Sequence, residues 1–173
     1  MFQNLIVIDA YYISFNTFLI EPVEHEGKLY SHVYDKSGEY IVERKPFYIV
    51  RHSCNVLGSN YNNAKKIAQC FLGSEKHKLP IVVTQDFGIP NVFFPLHSPN
   101  SPSNIWVGLH AITNIRRLKE YTEITLKNGI ELVVPLNYAS FCSQYVSATM
   151  LQKHVAHQRT TIRNELNQPF DTE

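Results

Sequence analysis

The sequence predicts a single α+β domain: an antiparallel β-sheet, two short central helices and a long C-terminal helix. Three observations carry that expectation. Residues 5–20 and 28–44 hold the β-branched and aromatic content of strands. From Pro46 the apolar residues recur at helical instead of strand spacing. Near the end, an Asn128-Gly129 dipeptide between alternating runs precedes a long amphipathic stretch. At 173 residues the chain can bury one sizeable core and is short for two domains.

Taken in order, the two early strand segments are punctuated by the turn-like EHEG (24–27) and DKSGE (35–39), which makes an acidic β-meander. Pro46 suits a first helical position, with Phe47, Val50, Cys54 and Leu57 on one stripe and Arg51, His52 and Asn55 on another side. Gly58 is expected to end this helix in a left-handed C-terminal cap. Ser59 or Asn60 can then cap a second helix, 61–72, which Gly73 ends. Its apolar stripe is Tyr61, Ala64, Ala68 and Phe71; Asn62, Lys65, Lys66 and Gln69 form a polar face without an acidic residue. Strands follow at 79–84, 91–96 and 104–112, with HSPNSPSN (97–104) as the densest loop signal. Residues 123–134 form a hairpin, read as a type I′ turn at Asn128-Gly129. Pro135 stops it. Asn137 caps a helix over 138–158 with Phe141, Tyr145, Ala148 and Val155 on one face, and the last dozen residues are expected to fray. Lys153, His154, His157 and Arg159 fall near that helix's C-terminal end, where positive charge complements the dipole.

The net charge of +1 hides an uneven distribution. Residues 1–43 carry −5, residues 44–119 carry +8, and the remainder −2. The cations cluster in the middle third, as a polyanion-binding surface requires. Three well-separated cysteines (Cys54, Cys70, Cys142) without a CxxC pair argue against a disulfide framework and for a reducing, cytoplasmic setting. The N-terminus lacks a basic region and cleavage site of the secretory type, and the longest uncharged stretch, 10–20, is too short to span a bilayer, so no membrane association is expected.

Enzymatic readings find little support. Cys54 and His52 sit two residues apart on a helix, where side chains diverge, so the pair cannot exchange a proton directly. A zinc site from His52, Cys54, Cys70 and His77 has no familiar ligand spacing, and His154 and His157 lack the general base of HExxH. Neither GxxxxGK[ST] nor GxGxxG occurs. In 44–119 the only acidic residues are Glu75 and Asp86, too few for a two-carboxylate or metal-dependent nuclease site. No enzyme activity, cofactor or metal is expected.

DNA binding uses the same residues better. Lysine and arginine neutralise phosphates, and asparagine donates hydrogen bonds to backbone or bases. The candidates are Arg51, His52, Asn62, Lys65, Lys66, Lys76, Lys78, Arg116, Arg117 and Lys119. The two helices and glycine corner of 46–72 have the pattern of a helix-turn-helix, a pattern any αα-hairpin shares.

Several motifs in order resemble the ComK family, the bacterial competence transcription factors: PFYIVRHSCNVLGSNY (46–61), KLPIVV (78–83), VFFPLHSP (92–99), NIWVGLHAI (104–112), ITLKNGIELVVPLNYASF (124–141) and Gln144-Tyr145. The resemblance implies a ComK-like DNA-binding domain over 1–158 with a short tail, 159–173. It also implies a nucleoid-associated activator of competence genes that binds paired AT-rich boxes of double-stranded promoter DNA, largely through the minor groove, as a dimer or higher oligomer. RNA polymerase is a further partner consistent with an activator. Asn63, Ala64 and Lys65 stand where the family often carries a glycine-arginine-lysine run. Other members continue into a tail used by a degradation adaptor and protease; this chain ends soon after its long helix, so adaptor control is not expected. The second reading is a divergent paralogue that no longer binds DNA and modulates a related activator as a protein-interaction module.

Overall fold

The computed structural model describes residues 5–86 and 88–167. The chain runs β1 (Ile6–Ile8), β2 (Thr17–His25), β3 (Lys28–Asp35), β4 (Gly38–Val42), α1 (Pro46–Leu57), α2 (Tyr61–Leu72), β5 (Ile81–Asp86), β6 (Ile89–Pro95) and β7 (Trp106–Gly108). A short 3-10 turn, Leu109–Ala111, leads into β8 (Ile112–Arg117), β9 (Thr122–Leu126), β10 (Glu131–Val134) and α3 (Tyr138–Leu166). Seven strands make one sheet in the order β1-β4-β3-β2-β7-β6-β5, antiparallel except where β1 meets β4, and β10-β9-β8 make a second. This is the α+β architecture the sequence predicts.

Alternation along the strands sets two cores. On β6, Val92 and Phe94 point to one face of the large sheet and Phe93 to the other; on β7, Val107 and Trp106 divide likewise. The first face is covered by α3 through Phe141, Ala148 and Leu151, and by the small sheet through Ile124 and Leu126. The second is covered by α1 through Ile49, Val50 and Cys54, with Ala64 of α2. Both surfaces of the central strands are therefore dry, which is why they read as nearly continuous apolar runs.

Local chemistry explains most element ends. Pro46 opens α1, and Asn60 and Asn137 cap α2 and α3 by accepting from Asn63 N at 2.8 Å and Ser140 N at 2.9 Å. Tyr61 N donates to Asn55 Oδ1 at 3.1 Å, closing the corner between α1 and α2.

Five local expectations need correction. Residues 5–20 are not continuous strand: 9–16 lie against α1 as a strap, with Ile13 buried and its N–H donating to Ser53 Oγ at 3.0 Å. Gly58 is not left-handed (φ −111°); a Cβ there would stand 2.7 Å from Val83 O, so the position needs glycine for closeness, not for φ. Asn128-Gly129 is not a type I′ turn, because Gly129 has φ 84° while Asn128 keeps an ordinary negative φ. Gly129 N donates to Leu126 O at 2.8 Å and Leu126 N to Ile130 O at 2.9 Å, and the Asn128 side chain accepts from Ile130 N at 3.2 Å, which is a turn closed by a left-handed glycine bulge. The two-residue I′ turn occurs instead at Glu26-Gly27 (φ 50° and 71°) between β2 and β3. Residues 104–112 do not form one strand, because the turn at Leu109–Ala111 carries the chain from the large sheet to the small one. Finally, α3 continues two turns beyond 158, supported by Thr160 Oγ1 and Thr161 Oγ1 donating back to Ala156 O and His157 O. Of the tail expected to fray, 168–173 fall outside the described residues.

Candidate nucleic-acid interface

The cationic middle third is gathered chiefly where the two central helices meet the loops after α2 and β6. Phe47 is half-buried on α1, its ring parallel to that of Trp106 at 6.4 Å and edge-on to Tyr61 at 5.2 Å. One turn on, the Arg51 guanidinium lies over Phe47 at 5.7 Å. Asn62 and Lys65 project from α2 beside it, on the exposed face that the apolar stripe of Ala64 and Ala68 leaves outward. With His77, Leu79 and the 98–100 loop these residues line a cavity of about 390 Å³. The loop is held in shape by Asn104, whose Oδ1 accepts from His97 N at 2.8 Å, and by Ser101 N donating to Ser98 O at 2.9 Å.

A shallower opening of about 530 Å³ adjoins it. Lys76, His77 and Lys78 line one side, and Ala139, Ser140, Ser143 and Gln144, from the first two turns of α3, the other. Lys76 Nζ donates to Ser147 Oγ at 2.9 Å, which ties this loop to α3. His77 lines both openings, so the surface is continuous from Arg51 to the start of α3. Arg117 stands over the ring of Tyr138, the residue before Ala139, at 5.2 Å. None of the described residues lining either opening is acidic.

Of the ten candidates, Arg51, Asn62, Lys65, Lys76 and Lys78 line these openings, and Arg117 packs on Tyr138 at the start of α3. The other four stand apart. Arg116 is held by Glu123 on β9 (Nε–Oε1 2.7 Å, Nη2–Oε2 2.8 Å), the only one of the ten in a salt bridge among the described residues. Lys66 is exposed on α2 outside both openings, and Lys119 occupies the turn closed by Leu118 N and Tyr121 O. His52 stacks between Tyr12 and Tyr48. Sequence reasoning read the 98–100 loop as a loop signal and Ser140 and Gln144 as parts of family motifs, counted none of them or Ser143 among the contact residues, and weighed His77 only as a metal ligand. The one local signal for His77 was its place between Lys76 and Lys78.

Groups with reactive potential are occupied otherwise. Burial pushes the Cys54 thiol up to about 12, so it packs as a small apolar side chain. His110 lies among Phe15, Phe18 and Phe93; burial foremost, then Lys127, brings it down to about 4. Among the described residues no group of three or more His, Cys, Asp or Glu side chains could hold a metal ion. No helix among them is long and apolar enough to cross a membrane.

These features define a mixed α+β domain with a continuous cationic face free of lining carboxylates. The chain belongs to the ComK family, whose model, described as the ComK protein, matches residues 8–160. It is similar to the Competence transcription factor of Bacillus subtilis (strain 168), with 29% identity over 147 residues that cover 84% of this chain and 74% of that protein. No solved structure matches the chain significantly.

Proposed function

We propose that this chain is a transcription factor that activates competence genes by binding AT-rich promoter DNA, with the face from Arg51 to Lys78 turned towards the duplex. The observation that carries this reading is the convergence of Arg51, Lys65, Lys76 and Lys78 on two adjoining openings without a lining carboxylate. A surface neutralised from within would gain little from phosphate; this one releases counterions when phosphates replace solvent. Family membership and the relative's printed name support the same direction. Arg, Lys and Asn are the side chains that sense A·T content and the narrow minor groove, and Arg51, Asn62 and Lys65 supply one of each at a single cavity. A dimer on paired boxes, and contact with RNA polymerase, belong to this proposal as the class of activator it describes.

The test is a gel-shift titration on duplexes bearing paired A-tracts, with GC-rich competitor, for the unaltered chain and for Lys65→Glu/Lys66→Glu. The unaltered chain should shift the A-tract duplex in preference to the competitor. The double reversal should lose the shift while its oligomeric state, read by light scattering, stays the same. Equal, weak binding to every duplex by both proteins would instead support an interaction module that no longer reads DNA.

A further inference from the structure

Strands β6 and β7 are joined by more chain than their pairing needs. Leu96 N donates to Ile105 O at 3.0 Å, just past the last register pair, Pro95 with Trp106. Residues 97–104 therefore close a link that antiparallel neighbours commonly make with about two to five residues. The excess is tightly shaped. Ser101 N donates to Ser98 O at 2.9 Å and Asn104 N to Ser101 O at 3.1 Å, which makes two consecutive β-turns. Pro99 and Pro102 each take the second position of a turn, where the ring's fixed φ favours it. Asn104, 2% exposed, holds the base of the loop through His97 N.

Ser98, Asn100, Pro102 and Ser103 are exposed on the crest of this loop, and no residue of 98–104 is charged. Its first turn walls the opening that Arg51, Asn62 and Lys65 also line. Asn100 takes the third position of that turn, exposed, and its amide bonds to nothing among the described residues, whereas the Asn104 amide is engaged by the fold. A link that only turned the chain would be shorter, and one that bound phosphate would carry cations. A stiff, uncharged crest with an open amide beside cations suits base edges, while the cations take the backbone. The major groove admits a helix or a β-ribbon; the minor groove, about 6 Å wide, admits only a thin segment. Its A·T pairs offer the acceptors N3 and O2 to an amide N–H, and guanine puts its own amino group in that place. We propose that the 98–103 crest enters the minor groove and that Asn100 reads A·T pairs there, apart from the phosphate contacts of Arg51, Lys65, Lys76 and Lys78. The proposal rests on duplex binding by this face and adds the residue that decides sequence.

The experiment is fluorescence anisotropy with a labelled A-tract duplex and a labelled GC-rich duplex, over a series of salt concentrations, for the unaltered chain, Asn100→Ala and Lys65→Ala. Asn100 is exposed and unbonded, so its truncation leaves the fold intact, which a circular-dichroism melt verifies. Asn100→Ala should weaken the A-tract complex roughly fivefold or more, the low end for one base contact, and leave the GC-rich complex and the salt slope unchanged. Lys65→Ala should instead make the slope shallower by about 1. Asn100→Ala with the full A-tract preference, or with both complexes weakened alike, overturns the reading role of Asn100 and leaves promoter binding standing. An unaltered chain that binds neither duplex, or both equally, overturns the two together.

Discussion

At Gly58 the backbone passes so close to β5 that a methyl group would meet Val83 O at 2.7 Å and Cys54 O at 3.0 Å. Both are backbone atoms of packed elements and have little room to retreat. Gly58→Ala should therefore destabilise the fold by about 1–3 kcal/mol, read from the urea midpoint, although φ there is negative. The sequence marked Gly58 as a helix end correctly and mistook the reason, because a tertiary approach leaves no trace in local spacing. His32 offers a second residue-scale prediction. Its Nδ1 lies 3.1 Å from Glu21 Oε1 and its Nε2 2.8 Å from Glu39 Oε2. Burial works against the charged ring, but the hydrogen bonds and charges of Glu21 and Glu39 outweigh it, so the His32 pKa is raised. A raised folded value means that the clamp's contribution is complete below the unfolded histidine range and is lost as pH rises through the folded value. The urea midpoint should fall as pH rises from the unfolded histidine value of about 6.5 through the raised folded value, and Glu39→Gln should flatten that fall.

Among the elements, the caps were the most legible, since Asn60 and Asn137 act on amides three residues away. Asn137→Ala should cost about 1 kcal/mol in denaturant unfolding. The break inside 104–112 was not legible, because Trp106 through Ala111 are apolar apart from Gly108 and His110 and what divides them is a change of sheet. The end of α3 was misjudged for the opposite reason: the apolar periodicity stops at Val155, the last buried residue of the helix, while the backbone continues to Leu166 on local hydrogen bonds. Helix without burial adds little to global stability. Truncation after 158 should lower Tm by no more than about 2 °C in a circular-dichroism melt, and a large drop would mean that the exposed turns carry packing this account does not assign them.

Over the whole molecule, the uneven charge along the chain proves partly to be an uneven charge in space. Much of the acidic N-terminal segment is spent within β2 to β4, where Glu21 and Glu39 hold His32 and Asp35 accepts from Tyr11 and Ser37. Cations from α1, α2 and the loop before β5 meet at the two adjoining openings, whose described lining residues include no carboxylate. Segment sums could show that positive charge was in excess there. They could not separate Lys65, which faces a cavity without carboxylates, from Arg116, which Glu123 neutralises across a strand pair.

That contrast supplies the most direct test: the slope of log affinity for A-tract duplex against log salt, measured for the unaltered chain, Arg51→Ala, Lys65→Ala and Arg116→Ala. With about five phosphates contacted, the unaltered slope should be near −4 to −5. Arg51→Ala and Lys65→Ala should each make it shallower by about 1, and Arg116→Ala should leave it unchanged. A slope near zero, or one that Arg116→Ala reduces as much as Lys65→Ala does, would contradict a single phosphate-facing surface.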